Sequence, residues 1–402
     1  MIKLAFRNTM RHKARTAMTL AAVVIGVAGL ILSGGFVADV FAQLAEAVIR
    51  SQSGHLQVAA KGFFTYGSRA PEKYLLKEPE AIARLAQSLP EVDDVMARMR
   101  FAGLVNNGRT DLAIVGEGVE PDKEAKLGTF VRISAGRQLA AKDKFGILVG
   151  QGVAKNLGLS PGDAVTLLLN TAEGALNTID FEVIGVFQTF SKDFDARAVR
   201  ITLPAARELL GTPGANALVL ALKSTATTDL VAAKLTSRLG AQIEVKTWYE
   251  LNDFYGKTVE LYEKQFGVLR LIILVMVLLS VVNTMNMTLF ERVGEFGTMR
   301  ALGNRGRDIF LLALTESAIL GLFGTLLGIF IGVAAAVVVS RIGIPMPPPP
   351  NANIGYTARI VIVPSVVAGA FLVGFFATVL GAILPALRVS RMTVVDALRQ
   401  NA

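Results

Sequence analysis

A chain of 402 residues with 52% apolar side chains is too apolar for a soluble domain of ordinary composition, and the excess sits in long runs that mark a membrane protein. Its net charge of +9 is unevenly placed: residues 39–262 carry 25 Lys/Arg against 26 Asp/Glu, so the basic excess hugs the apolar runs. Nucleic-acid binding would put that excess on a folded domain and is excluded; the absence of cysteine excludes disulfides and thiol chemistry.

Residues 1–15 read as an amphipathic interfacial helix, with Ile2, Phe6 and Met10 on one face and Lys3, Arg7, Arg11, Lys13 and Arg15 supplying charge. Residues 16–38 carry no charge until Asp39 and make a first span, since roughly 20 helical residues cross about 30 Å of hydrocarbon. A cleaved signal peptide would have a shorter apolar region, about 7–15 residues. Residues 39–262 form a large α+β domain. At its start Phe41, Leu44, Val48 and Ile49 keep helical spacing, and from its end towards the second span so do Trp248, Leu251, Tyr255, Val259, Tyr262 and Phe266. Two such helices make a stiff stalk, the alternative being that they pack on the domain's base.

Between them HLQVAA, DLAIVGEGV, FGILVGQGV, DAVTLLLN, IDFEVIGVF, RAVRITLP, NALVLALK and AQIEVKTW read as strands. PEAIARLAQSL, PAARELLG and TTDLVAAKLTSRLG read as helices, the last stopping at Gly240. NALVLALK and AQIEVKTW flanking a helix make a βαβ unit. Gly162-Asp163 suits a tight turn into a strand, and a domain of this length can bury its own core in two lobes.

Three more spans follow, at 271–290, 309–340 and 360–387, joined by a charged connector at 291–308 and a Pro-rich loop at 341–359 that reads as a stiff spacer, the alternative being a partner-binding segment. Residues 388–402 form a basic tail. Four spans place both termini on one side. Arg292, Arg300, Arg305 and Arg307 of the connector and Arg388, Arg391 and Arg399 of the tail make that side cytoplasmic, leaving 39–262 outside.

In the connector Val293, Phe296, Met299 and Leu302 recur at threes, a narrow apolar ridge with Glu291, Arg292, Glu295 and Arg300 beside it, and Gly303 is a natural stop. Such a helix is a handle for another protein, though a loop that only joins two spans would show the same charged flanks. Glu316 is an acid inside an apolar run. It either links to another helix or the basic end of a neighbouring span, or snorkels to the headgroups. Gly324, Gly328 and Gly332 share one face of that span, a small-xxx-small arrangement for close packing inside the protomer or across a dimer. Gly256-Lys257-Thr258 lacks the glycine that a phosphate loop needs five positions earlier, where Leu251 stands. His12 and His55 are isolated and there is no GxSxG, so neither a metal site nor a hydrolase has support.

The string Glu-Arg-x-x-Glu-Phe-Gly-x-x-Arg-Ala-Leu-Gly at 291–303 resembles the hallmark of MacB-like (type VII) ABC transporter permeases, the group of MacB, FtsX and LolC/LolE. RNTMRHKARTAMTL near the start, RISAGRQLAAKDKFGILVGQGVAKNLGLSPGDAVTLL in the middle and PALRVSRMTVVDALR at the end carry the same resemblance in order. It implies a four-span inner-membrane protein with a periplasmic domain on a stalk and no enzymatic site of its own. Glu291, Arg292, Glu295, Phe296, Gly297, Arg300, Ala301, Leu302 and Gly303 would form a coupling helix docking on a separate ATPase. Two copies of that ATPase would carry ATP and Mg, leaving this chain without cofactor, and a second permease copy or sister permease would complete the complex. Mechanotransmission then moves cargo from the periplasm or outer leaflet. SGGFVADVFAQLAEAVIRSQSGHLQVAAKGF looks closer to LolC/LolE than to MacB, which points to lipoprotein or lipid handed towards the outer membrane, with a periplasmic carrier or adaptor as a further partner. The alternatives are drug or peptide efflux, and FtsX-like signalling to a cell-wall hydrolase.

Overall fold

The structure, a computed structural model, describes residues 13–67, 70–171, 173–348 and 355–393. The interfacial helix up to residue 12, the central proline loop at 349–354 and the tail from 394 lie outside the described residues. The described parts of 1–42, 258–345 and 357–402 form one compact unit, and those of 43–257 and 346–356 form a second.

Helix α1 (Lys13–Val48) closes with one π-helical turn, Ile49–Ser53. Ten strands follow: β1 (Leu56–Ala60), β2 (Val92–Asn106), β3 (Asp111–Val119), β4 (Arg132–Gly136), β5 (Gly146–Gly150), β6 (Ala164–Asn170), β7 (Leu176–Gln188), β8 (Ala198–Thr202), β9 (Ala217–Leu222) and β10 (Ile243–Thr247). Among them lie helices α2 (Pro79–Gln87), α3 (Leu203–Leu210) and α4 (Thr228–Arg238). The sheet runs β10-β1-β9-β2-β3-β8-β5-β7-β4, with β6 pairing both β2 and β7. Only β3–β8 and β5–β7 are parallel among these pairs.

Strand β2 is the spine of this domain. Val92–Arg98 pairs with β9, and Met99–Asn106 pairs with β3. Each half serves its own core, Val92 and Val95 with Leu218, Leu220, Val231 and Leu235, and Met99 and Phe101 with Ile147, Val149, Val199 and Ile201. Two cores sharing one strand are the two lobes that the domain's length allows. β9, α4 and β10 are a βαβ unit with β1 inserted between its strands, because β1 pairs antiparallel with both. The tight turn at 162–163 forms, with Gly162 at φ 100° and the Asp163 amide donating to Ser160 O at 3.1 Å.

Two helix ends differ from expectation. α4 stops at Arg238 because Leu239 leaves the helical region (φ −88°, ψ 139°), so Gly240 is not its cap. Trp248 to Leu251 form a turn rather than helix, since the Thr247 amide and hydroxyl donate to Glu250 Oε2 at 2.9 and 3.0 Å and close the chain there. Helix α5 (Asp253–Glu291) begins only after it.

The other unit contains the rest of α5, the short helix α6 (Val293–Ala301), α7 (Gly306–Ile342) and α8 (Pro364–Arg391). Among the described residues four stretches are long and apolar enough to cross a membrane: Thr16–Ser53, Tyr255–Glu291, Gly306–Ile342 and Pro364–Arg391. Their shared core joins Val23, Val27 and Ile31 of α1, Val277 and Val281 of α5, Leu320 of α7, and Ala370 and Ala377 of α8.

Candidate coupling site and a buried ionic joint

The connector is a short helix held at both ends. Gly303 (φ 99°) reverses the chain after Ala301 and Leu302, and Asn304 donates its amide to Met299 O at 3.1 Å. The next residue, Arg305, donates its amide to Asp308 Oδ2, three positions on, at 2.8 Å and starts α7. The apolar ridge divides in an informative way. Val293 and Phe296 are buried, packed with Leu289, Ile309, Leu312, Ala313, Ala386 and Val389 of the chain's own helices. They are therefore no handle for a partner; burial of this kind contributes about 1.5–3 kcal/mol for each large apolar side chain. Leu302, by contrast, is 81% exposed.

The charged residues divide likewise. Arg292 is buried, donates to Glu316 Oε2 at 2.8 Å and Glu295 Oε2 at 2.9 Å, and stacks over the Phe296 ring at 5.1 Å. Glu316 is equally buried, so the acid inside the span meets the cation that caps the start of α6. Arg300 donates to the Met392 carbonyl at the end of α8. Of the nine candidate coupling residues, Arg292, Phe296 and Gly297 face inward and Arg300 is half-buried. Glu291, Glu295, Ala301, Leu302 and Gly303 are exposed.

The glycine stripe of α7 lies against α1 of the same chain. A Cβ at Gly324 would come within 3.0 Å of Val23, at Gly328 within 2.9 Å of Val27, and at Gly332 within 3.0 Å of the Ala28 backbone. This is the close helix approach that small residues permit.

A second constellation, in the sheet domain, has no counterpart in the sequence reading. Where β2 passes from β9 to β3, Arg98 is fully buried and meets Glu124 (Nη2–Oε1 2.5 Å) and Glu117 (3.6 Å). Arg200 of β8 meets Glu117 at 3.1 Å and stacks on Phe187 at 5.2 Å. Burial alone would raise the Glu117 carboxyl, but Arg98, Arg200 and Arg100 outweigh it and hold the pKa below its ordinary value. Both buried arginines also donate to the turn that ends α1: Arg200 to Ser51 O at 3.0 Å and Arg98 to Gln52 O. Carbonyls at a helix end are unpaired and carry partial negative charge, so cations are the natural partners. The end of α1 is thereby bolted into the sheet by four buried charges.

Beside this joint, His55 Nδ1 accepts the Leu222 amide at 3.1 Å and Nε2 faces Thr225 Oγ1 at 3.2 Å. Thr225 passes its hydrogen to Glu46 of α1 at 2.7 Å. Burial lowers the His55 pKa to about 4 from 6.5, so the ring is neutral at pH 7. Between those values the unfolded chain takes up a proton that the folded domain refuses. Stability is therefore full above pH 6.5 and falls as pH drops towards 4, by about 2–3 kcal/mol from this residue. Melting curves of the wild type and His55→Asn between pH 7 and 4 check this: the variant's stability should fall less steeply over that window.

Comparison with known proteins agrees with this architecture. Residues 16–238 match the MacB-like periplasmic core domain and residues 267–394 the FtsX-like permease C-terminal region. An "uncharacterized ABC transporter permease" of Methanocaldococcus jannaschii is 24% identical over 85% of this chain and 84% of its own length. The lipoprotein-releasing system transmembrane protein LolC of Xylella fastidiosa is 23% identical over 70% of this chain and 67% of its own. The macrolide export ATP-binding/permease protein MacB of Campylobacter jejuni is 23% identical over 82% of this chain, which spans only 52% of that longer protein. With four candidate membrane helices, an α+β domain between the first and second, and family matches that together reach from residue 16 to 394, the chain belongs to the MacB-like, FtsX-type family of ABC transporter permeases.

Proposed function

We propose that this chain is the permease subunit of a MacB/LolC-type ABC transporter, set in the bacterial inner membrane with both termini cytoplasmic, and driven by two copies of a separate ATPase that hold ATP and Mg. A second permease copy or a sister permease completes the complex. The observation that carries the reading is the two-faced connector: Val293, Phe296 and Arg292 fix one face to the membrane helices, while Glu291, Glu295, Ala301 and Leu302 are left on the surface. A push on such a helix is passed to its neighbours rather than absorbed by a floppy loop, since packed interiors transmit strain. α1 and α5 each carry residues of both compact units without a break in the helix, which suits mechanotransmission to the sheet domain. The LolC likeness favours lipoprotein or lipid, moved towards the outer membrane with a periplasmic carrier, as cargo.

Leu302→Asp, at an 81% exposed position, should leave membrane insertion and melting temperature unchanged and reduce co-purification of an ATP-hydrolysing subunit at least tenfold. Pull-down from native membranes with an ATPase assay of the eluate reads this directly. An undiminished complex would remove the coupling surface.

A further inference from the structure

The sheet domain holds a cavity of about 570 Å³ beside the buried joint, within the size range of small-molecule sites. One wall is aromatic, with Phe63, Phe64 and Phe194; Arg100 and Gln57 lie among its polar lining. Charge and hydrogen bonding at that polar side do not balance. Arg98, Arg100 and Arg200 face only Glu117 and Glu124, and the two carboxylates are taken up by Arg98 and Arg200 at 2.5–3.3 Å. Arg100 comes no nearer than 3.7 Å to Glu117, and its guanidinium donates no hydrogen bond among the described residues. The Arg100 guanidinium lies over the Phe63 ring at 6.0 Å and pairs with Glu117 only by charge, so the cation at the cavity is not held by a hydrogen bond among the described residues. The other carboxylate on the lining, Glu250, is held by Lys246 at 3.1 Å and cannot serve Arg100.

Gln57 adds the complementary group. It is fully buried, and its Nε2 donates to Ser53 O at 2.8 Å, which fixes the amide's orientation because a carbonyl can only accept. Its Oε1 is then a buried acceptor with no partner among the described residues. A native structure rarely leaves such an atom unsatisfied without a ligand or water to meet it. A cation short of hydrogen-bonded partners, a buried acceptor and an aromatic wall together specify a molecule carrying an anion, an N–H and an apolar body.

We propose that this cavity binds N-acylated amino acids, with the carboxylate on Arg100, the amide N–H on Gln57 Oε1 and the apolar body against Phe63 and Phe64. The inference is independent of the transport reading, because binding needs neither nucleotide nor a partner subunit.

The test is calorimetric titration of the full chain in lipid nanodiscs with N-acetyl-L-leucine, its neutral amide N-acetyl-L-leucinamide, and inorganic phosphate. The acid should bind saturably and at least about tenfold more tightly than the amide, the worth of one charge-assisted contact. Arg100→Gln should abolish that preference. Equal affinity for acid and amide, no saturable heat with the acid, or phosphate binding as tightly as the acid would each overturn the proposal. The acid–amide comparison uses wild-type protein, so it decides the matter even if Arg100→Gln fails to fold.

Discussion

Arg98→Ala is expected to destabilise the sheet domain by about 3–5 kcal/mol, because removing one partner of a buried ion network strands the others. Glu124 would lose both of its close hydrogen bonds to Arg98, at 2.5 and 3.3 Å, and keep only Arg200 at 3.7 Å. The Gln52 carbonyl at the end of α1 would lose its donor as well. Arg98→Met, which restores volume without charge, should cost nearly as much, since the loss arises from the unpaired acid rather than from a cavity. Adding Glu124→Leu to Arg98→Met should recover much of it, as well-packed apolar residues can replace a buried pair at little net cost. Chemical denaturation of the three variants checks the sequence. A loss under about 1 kcal/mol for Arg98→Ala would mean that water enters and screens the cluster. The functional consequence lies in the joint: with Arg98 gone, Arg200 is the one buried arginine of the pair still donating to the end of α1.

Glu316→Ala should cost the membrane unit a comparable about 3–5 kcal/mol. It leaves the buried guanidinium of Arg292 with Glu295, a carboxylate that reaches it from the exposed face of α6. Glu316→Gln, which keeps an acceptor, should cost less than half of that, because a neutral acceptor still meets Arg292 Nη1. Thermal melting in detergent reads both. The double variant Arg292→Met with Glu316→Leu should be less damaging than the sum of its single changes, the signature of two groups that act on each other. If the melting temperature of Glu316→Ala is unchanged, Arg292 does not depend on it and the connector is held by its apolar face alone.

Much of this molecule was legible in its residues. The four apolar runs and the neutral segment between the first two follow from the cost of placing charge in hydrocarbon, which no packing detail alters. Eight strands were visible because their β-branched runs lie between turn residues. β2 was not, although it is the longest, because VDDVMARMRFAGLVN carries two aspartates and two arginines that read as a polar loop. Two of those charges, Arg98 and Arg100, belong to the ionic cluster, whose partners at 117, 124 and 200 are distant in sequence, so spacing could not reveal it. β4 was missed for a different reason: RISAG is short and mostly exposed.

The connector shows the limit most clearly. Its i, i+3 ridge was plain, yet periodicity states only that one face is apolar, never whose surface covers it. Val293 and Phe296 turned out to be covered by the chain itself, and Leu302, two steps further along the same ridge, was not. Glu316 was recognised as an anomaly because an acid in a span is costly, while its partner Arg292 stands 24 positions earlier and needed the fold to be found.

The most direct measurement is site-specific photo-crosslinking in intact cells, with the reactive side chain placed in turn at Ala301, Leu302 and Phe296. Crosslinks from 301 and 302 to a nucleotide-hydrolysing protein, with none from the buried position 296, are the predicted outcome. Adducts from 301 or 302 to a periplasmic protein, or none to any ATPase, would contradict it.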